Sequence, residues 1–136
     1  MSAPKVVPSP DGLNAEFYAE CAKGRLSFQR CDDCGTWRHP PRVMCAACGS
    51  WQWRWQPSSG RGRIHTWTVT HQAMHPAFTD ETPYAVVVVE LDEGVRLVSG
   101  VRELPVAQLV LDLPVEVVLE TVSDRMALPY FRPART

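Results

Sequence analysis

Four cysteines in the first half of this chain have the types and spacing of a metal site. They form two Cys-x-x-Cys pairs with ten residues between them, Cys31 with Cys34 and Cys45 with Cys48. Within each pair the chain must fold tightly, so that both sulfurs face one point. The glycine after each pair can adopt the positive φ that such a turn requires. Two facing knuckles of this kind supply four thiolates in the tetrahedral arrangement that Zn²⁺ accepts.

The repeat extends beyond the cysteines, because each pair is followed by Gly and, two residues later, by Trp. This doubled pattern favours a structural metal over a redox pair, which would be expected in a βαβ context. Iron in a rubredoxin-like site is the main competitor, since four sulfurs alone do not select the metal. Four protein ligands leave no open position, so we expect the metal to hold structure. A disulfide framework is disfavoured, because no apolar signal segment stands at the N-terminus.

Length and composition indicate the general class of protein. The 136 residues fit one compact domain, or a small domain with a metal module. The chain is 45% hydrophobic and 21% charged, and no apolar run approaches the length of a membrane span. We therefore expect a cytoplasmic protein without a membrane partner. The net charge of −1 gives no general reason to expect nucleic acid.

The charge is unevenly distributed along the chain. Residues 23–63 carry eight Lys or Arg against two Asp, a net +6, whereas residues 64–136 carry five Arg against ten Asp or Glu, a net −5. Four thiolates around Zn²⁺ would add −2 and still leave the cysteine region basic. Its arginines either offset the thiolates and cover the tryptophans, or they meet an acidic protein, a phosphorylated cofactor or nucleic acid.

A short helix is predicted ahead of the first knuckle, over residues 13–23. Asn14 is its expected N-cap, and Gly24 is the residue that ends it. Phe17 and Cys21 are four residues apart and share one face. Cys21 is therefore expected to be a buried, unreactive side chain.

Aromatic residues surround the knuckles. Trp51, Trp53 and Trp55 alternate with polar residues, which predicts a strand with three indoles on one face. We expect this face to pack against the next module, and a docking surface is the second interpretation. His39, between the knuckles, is expected to be an exposed loop histidine because four cysteines already complete the metal site.

The second half of the chain has the pattern of β-structure. The predicted strands cover residues 63–71, 84–91, 95–101, 115–122 and 128–131. Residues 72–83 are predicted to be a loop, and the apolar run 84–91 suits a strand buried on both faces. Five strands at this spacing favour a small closed barrel of the OB type, because closure hides the sheet edges.

The predicted fold is therefore mainly β, with an N-terminal helix and a zinc ribbon followed by a five-stranded OB-fold barrel. The expected organisation is an extended segment and helix at 1–24, the ribbon at 25–60 and the OB-fold at 61–136.

With a cysteine ribbon followed by a predicted OB-fold, the chain resembles a known family, the zinc-ribbon plus OB-fold proteins that accompany acyl-CoA thiolases. The resemblance covers nearly the whole chain and includes Phe17-Tyr18, the segment around Cys31, Pro40 to Arg42, Gly49-Ser50, Ser59 to Arg63, Thr66 to Val69, Pro83-Tyr84, Val89 to Gly94 and the final Pro-Tyr-Phe-Arg-Pro-Ala. One departure is Asp112, where the family usually has a glycine before its penultimate strand.

The resemblance implies a non-catalytic accessory subunit. Proteins of this family bind thiolase-superfamily enzymes, including ketoacyl-CoA thiolases, lipid-transfer-type aldolases of steroid side-chain breakdown and acyltransferases, and others join a MaoC-like hydratase. The resemblance implies that such a subunit stabilises the partner and helps to bind or channel the CoA ester. For this chain the resemblance implies structural Zn²⁺ and an acyl-CoA ligand shared with the partner. We expect the isolated chain not to be an enzyme.

Eight residues are candidates for contact with CoA or with the partner. They are Arg38, Arg42, Arg61, Trp67, His71, His75, Phe78 and Tyr84. In OB-folds the loop after the first strand borders the ligand face, so its aromatic and histidine side chains are expected to meet the pantetheine arm or the partner's active-site mouth. The arginines are expected to meet phosphate or an acidic partner.

Two other functions remain open. A single-stranded nucleic-acid module would use stacked aromatics such as Trp67, Phe78 and Tyr84, although the acidic barrel half would repel phosphate. An independent enzyme would use Cys21 or His71 on CoA esters, although no triad-like arrangement can be read from the sequence.

Overall fold

A computed structural model describes residues 7–135 of the chain. The predicted extended segment at the N-terminus lies partly in residues 1–6, outside the described residues. The described residues form one α-helix, α1 (Gly12–Ala22), and two short 3₁₀ helices, Pro76–Glu81 and Val106–Gln108. The three ribbon strands are β1 (Ser27–Cys31), β2 (Trp37–Arg38) and β3 (Trp53–Pro57). The five barrel strands are β4 (Arg61–Thr70), β5 (Tyr84–Leu91), β6 (Arg96–Ser99), β7 (Pro114–Ser123) and β8 (Met126–Pro133).

The five barrel strands form one antiparallel sheet in the order β6-β5-β4-β7-β8. The two edge strands approach each other where Val101 pairs in parallel with Phe131. Arg102 N–H donates to Phe131 O at 2.7 Å, and Phe131 N–H donates to Gly100 O at 3.1 Å. A five-stranded sheet that curls until its edges meet in this way is the OB-fold, so the predicted fold is confirmed.

Strand β5 alternates between the inside and the outside of the barrel. Its inward side chains are the buried Ala85, Val87, Val89 and Leu91. Val86 and Val88 face outward and are partly exposed, so the prediction that this run is buried on both faces is wrong. The uniform β-branched sequence hid the alternation, because apolar residues occupy both faces of the strand.

Helix α1 begins earlier than predicted. Asp11 is its N-cap residue, and Ala15 N–H donates to Asp11 O at 3.2 Å. The predicted cap, Asn14, therefore lies within the first turn. The predicted end is correct, because Gly24 has φ +87°, the left-handed conformation that ends helices. Among residues 7–135, no helix has the length and apolar character needed to cross a bilayer.

The helix packs against β8 and β1 through the face predicted from its sequence. Phe17 and Cys21 are buried there. Burial, together with the neighbouring Glu20 carboxylate, raises the pKa of the Cys21 thiol to about 12. The thiol is therefore protonated at neutral pH and a poor nucleophile, which removes support from an enzyme that uses Cys21.

The three tryptophans after the second knuckle do not share one strand face. Strand β3 starts at Trp53, and Trp51 lies before it and is largely exposed. Trp55 stacks against Phe17 with ring centroids 6.5 Å apart, and its Nε1–H donates to Glu16 Oε1 at 3.1 Å. The Trp55 indole is therefore one of the contacts between the ribbon and α1. The prediction fails for Trp51 because the second knuckle still determines the backbone at that position.

The departure at Asp112 has a backbone explanation. Asp112 has φ +64°, a conformation in which glycine is favoured, and it occupies the turn before β7. Its carboxylate lies 3.6 Å from Arg63 Nε in an exposed ion pair, which offsets little of the strain. The glycine that the resemblance implies at this position would suit the left-handed backbone that this chain builds with aspartate.

We expect Asp112→Gly to stabilise the fold by roughly 0.5–1 kcal/mol, because glycine relieves the left-handed strain at small cost in contacts. Urea unfolding of the two proteins measures the difference. Asp124→Gly, in the β7–β8 turn where φ is not positive, is the matched control and should give no gain. A loss of stability in Asp112→Gly would contradict the assignment.

Candidate functional site

The structure brings the four predicted cysteines together in the ribbon. Their sulfurs all lie within 4.8 Å of one another. Cys31 Sγ is 3.6 Å from Cys48 Sγ, and Cys34 Sγ is 3.6 Å from Cys45 Sγ. A tetrahedron of sulfurs at about 2.3 Å from zinc has edges of about 3.8 Å. The donor set therefore fits Zn²⁺, and the two knuckles contribute two sulfurs each.

The two glycines of the repeat shape the knuckles. Gly35 and Gly49 have φ of +76° and +79°. Their N–H groups donate to Cys31 O at 3.0 Å and to Cys45 O at 2.8 Å. Each bond closes a tight turn around a cysteine pair, so the repeated sequence produces a repeated geometry.

Much of the positive charge of the ribbon is used within the ribbon. Arg30 donates from Nε to Gly35 O at 3.0 Å, and its guanidinium lies 5.1 Å from the Trp37 ring centroid. Arg54 pairs with Asp32 at 2.5 Å. These contacts support the interpretation in which the arginines cover tryptophans and hold loops.

Arg38 and Arg42, both predicted to contact phosphate or a partner, have different environments. Arg38 is half-buried and donates from Nε to Gln29 Oε1 at 3.0 Å and from Nη2 to Arg42 O at 2.7 Å. It therefore braces the segment between the knuckles. Arg42 is exposed, and within residues 7–135 its guanidinium has no ion-pair partner within 4.0 Å. Arg42 is thus the better placed of the two to meet an external anion.

Four predicted contact residues of the barrel half, Arg61, Trp67, His71 and His75, do not line the groove described below, although the His75 ring centroid lies 6.4 Å from that of Phe78. Arg61 is exposed and lies 3.9 Å from Glu116. Trp67 packs partly buried against the core, so its ring is only partly available for stacking. His71 is exposed beyond the end of β4. His75 is also exposed, and its Nδ1 accepts from Ala77 N–H at 3.0 Å. That bond caps a short 3₁₀ helix inside the predicted loop.

Phe78 and Tyr84 do share a site. Their rings lie 5.9 Å apart on one wall of a groove of about 900 Å³. Four parts of the fold contribute other walls, namely α1 with Phe17 and Tyr18, the segment His39–Pro41, β6 with Val98, and β8 with Tyr130. Of the eight predicted contact residues, these two line the groove.

Sequence analysis missed several residues of the groove. Val98 projects from the outer face of β6, and Tyr18 and Tyr130 come from α1 and β8, which are distant in sequence. Val98 carried a signal, because alternation in Arg96–Ser99 places it opposite the buried Leu97 side chain. The strand that it occupies belongs to the face that OB-folds commonly use for ligands.

His39 is not the exposed loop residue that was predicted. Its ring packs edge-on against Phe17 and Phe28, with centroids 4.9 and 5.3 Å apart. Burial lowers the pKa of His39 to about 4, because the apolar surroundings disfavour the imidazolium. Nδ1 is buried and has no hydrogen-bond partner among the described residues. His39 therefore joins the ribbon to α1 as an uncharged ring.

The two arginines of the groove are both paired. Arg102 donates to Glu120 at 2.6 and 3.0 Å, and its guanidinium lies 3.7 Å from the Tyr130 ring centroid. Arg96 lies 3.6 Å from Glu90. With its cations neutralised, the groove suits an apolar ligand group better than a phosphate.

We expect the purified chain to carry a single structural zinc ion that chelation removes with loss of ribbon structure, because the ribbon has little apolar core of its own. Metal analysis and circular dichroism measure both effects. Cys34→Ser and Cys48→Ser should lose the metal, whereas Cys21→Ser, outside the cluster, should retain it. Iron as the bound metal, or an unchanged ribbon after chelation, would contradict this expectation.

We expect His39 to make the fold less stable in mild acid. Its pKa is 6.5 when unperturbed and about 4 in the fold. Protons therefore bind the unfolded chain more tightly, and stability falls as pH decreases from 6.5 toward 4. The full effect is up to about 3 kcal/mol.

His39→Leu should flatten this part of the pH profile in urea unfolding, and the difference between the two proteins cancels the contribution of the metal ligands. His71→Asn, at an exposed histidine, should retain the wild-type slope. Equal slopes in His39→Leu and the wild type would show that His39 is not the group responsible.

Comparison with known proteins gives matches to both halves of the chain. The rubredoxin-like zinc ribbon domain of ChsH2 matches residues 19–54, and the C-terminal OB-fold domain of ChsH2 matches residues 55–120. A probable enoyl-CoA hydratase alpha subunit of Thermomonospora curvata is 38% identical over 134 residues, which are 96% of this chain. The chain spans 41% of the length of that relative.

Two further matching proteins are similar in length to this chain. A DUF35 domain-containing scaffold protein of Methanothermobacter thermautotrophicus is 31% identical over 100 residues, covering 73% of this chain and 74% of that protein. The solved structure of an Ltp2-ChsH2(DUF35) aldolase contains a chain that is 36% identical, with a TM-score of 0.85, and the match covers 95% of this chain and all of that one. With its ribbon, its OB-fold and these relatives, the chain belongs to the ChsH2 (DUF35) family.

Proposed function

We propose that this chain is a non-catalytic accessory subunit of a thiolase-superfamily enzyme, a ketoacyl-CoA thiolase or a lipid-transfer-type aldolase. In this role it stabilises the enzyme and helps to bind the acyl-CoA substrate. The observation that carries the proposal is the match to the DUF35 chain of the Ltp2-ChsH2(DUF35) aldolase, which extends over the full length of that chain. A likeness over a whole subunit favours a similar place in a complex.

The reactive groups of the chain favour binding over catalysis. Four thiolates would complete the coordination of the metal. Burial keeps Cys21 protonated and His39 uncharged at neutral pH. Cys21, His39 and the metal site are the groups most suited to act as nucleophile, base and Lewis acid. Each of them is thus held in a structural role.

The groove is the part of the chain best suited to the acyl-CoA. Its volume of about 900 Å³ lies within the range of small-molecule sites, and its walls are mainly aromatic and aliphatic. Because Arg96 and Arg102 are paired with carboxylates, the groove lacks a free arginine of its own for phosphate. We therefore assign to it the acyl or pantetheine end of the substrate, with the phosphates bound elsewhere in the complex.

Nucleic-acid binding receives less support. Trp67 packs against the core instead of joining Phe78 and Tyr84, so the three predicted aromatics do not form one stacking surface. The arginines beside Phe78 and Tyr84 are neutralised by carboxylates, which weakens attraction to a phosphate backbone.

Reconstitution tests the accessory role. Candidate thiolase-superfamily enzymes from the native host are expressed with and without this chain, and acyl-CoA turnover and thermal stability are measured. We expect one enzyme to gain both activity and stability in the presence of the chain, and the isolated chain to give no turnover. Turnover by the isolated chain, or enzymes that are all unaffected by it, would contradict the proposal.

Within the reconstituted complex, the double variant Phe78→Ala, Tyr84→Ala should raise KM for acyl-CoA about tenfold while kcat changes little, because two rings that line the groove are removed. Steady-state kinetics measure both constants. Met74→Ala, in the same loop and 87% exposed, is the control and should have no effect. An unchanged KM in the double variant would exclude the groove as an acyl-CoA site.

A further inference from the structure

A glutamine at the centre of β1 is fully buried, although it is neither a metal ligand nor part of the groove lining. Gln29 is 0% exposed and lies in the ribbon sheet between Arg38 of β2 and Trp55 of β3. Among residues 7–135, it and Ser27 are the two buried residues with oxygen or nitrogen in the side chain. A buried carboxamide costs free energy unless it is hydrogen-bonded, so the partners of Gln29 indicate what it does.

The carboxamide oxygen of Gln29 binds both ends of a short segment between the knuckles. Gln29 Oε1 accepts from Arg38 Nε at 3.0 Å and from the Arg42 backbone N–H at 2.7 Å. Arg38 Nη2 donates in turn to Arg42 O at 2.7 Å. These three hydrogen bonds form a closed triangle, which we call the Gln29 clamp. Because two donors converge on Oε1, they also distinguish the oxygen of the carboxamide from its nitrogen.

The segment that the clamp holds is one wall of the groove. His39–Pro41, the three residues between Arg38 and Arg42, all line it. Two of the three are prolines without a backbone N–H, so the segment can donate few backbone hydrogen bonds of its own. The His39 ring holds the segment in its middle by packing on Phe17. The clamp holds it at both ends, and therefore sets the position of this wall.

Two donors of the clamp lack an acceptor. Gln29 Nε2 and Arg38 Nη1 are buried and have no hydrogen-bond partner among the described residues. A carboxylate in place of the carboxamide would keep both acceptor bonds, remove the unpaired Nε2 and give Arg38 a counter-charge. Gln29→Glu is therefore expected to preserve the clamp. Gln29→Met, which has a similar length and no acceptor oxygen, removes it.

We propose that Gln29 is a positioning residue for the groove, which acts through Arg38 and Arg42 on the wall formed by His39–Pro41. The proposal rests on the proposed function, because it concerns the groove assigned to the acyl-CoA. Gln29 itself is not among the residues that line the groove, so it acts on the ligand through this segment. Loss of the clamp lets the wall move and weakens ligand binding without removing a contact residue.

Steady-state kinetics of the reconstituted complex, with acyl-CoA as the varied substrate, test the proposal. Gln29→Met should raise KM about fivefold with little change in kcat, the size expected when buried hydrogen bonds that set a binding wall are lost. Gln29→Glu should keep KM within about twofold of the wild-type value. Gln52→Met is the matched control, because it is the same substitution at an exposed glutamine of the ribbon, and it should leave both constants unchanged.

Amide hydrogen exchange of the isolated chain measures the clamp without any enzyme. In Gln29→Met the Arg42 N–H loses its acceptor, so its exchange should become about tenfold faster or more. Gln29→Glu and Gln52→Met should exchange like the wild type at this position. Zinc content and thermal unfolding of each variant show that the ribbon is intact. If Gln29→Met does not fold, Gln29→Asn replaces it, because its oxygen is one methylene short of the two donors.

A wild-type KM in folded Gln29→Met, while Phe78→Ala, Tyr84→Ala raises KM, would overturn the positioning role and leave the proposed function standing. A KM in Gln29→Glu as high as in Gln29→Met would also overturn it, because packing and not the acceptor oxygen would then be what matters. A fall in kcat at constant KM would show a merely structural role. An unchanged KM in every variant, including the double variant, would overturn the assignment of the groove to acyl-CoA and this proposal with it.

Discussion

The convergence of four cysteine sulfurs on one point is the constraint on which the rest of this structure depends. The ribbon strands are short, and their indoles are only partly buried, so the ribbon has little apolar core of its own. The sulfur cluster fixes the two knuckles, and the knuckles fix the ten residues between them. Those residues include His39, which packs against Phe17 and Phe28 and so ties the segment between the knuckles to α1.

The groove results from this contact between the segment around His39 and α1. Its walls come from the helix, the segment between the knuckles, the loop after β4 and the edge strands of the barrel. None of these elements could form a cavity alone, and the metal site reaches the groove through the position of His39–Pro41. The same ribbon that contributes to the groove also leaves Trp51 largely exposed.

The features that sequence analysis predicted correctly are those determined locally. Cysteine spacing predicted the knuckles, the four-residue interval between Phe17 and Cys21 predicted the buried helix face, and the β-pattern of the second half predicted the five strands. The errors arise where distant contacts decide. Trp51 matches a strand period but lies where the knuckle sets the backbone, and His39, predicted to be an exposed loop residue, is covered by Phe17 of α1. The groove could not be predicted, because Tyr18, Val98 and Tyr130 meet through the tertiary fold alone.

The central claim is that this chain works as part of a thiolase-superfamily complex. Affinity purification of the tagged chain from its native host at moderate salt, with quantitative mass spectrometry of the bound proteins, tests the claim most directly. The account predicts one thiolase-superfamily enzyme in near-equal amount with this chain. Recovery of the chain alone, or with RNA in place of an enzyme, would contradict it.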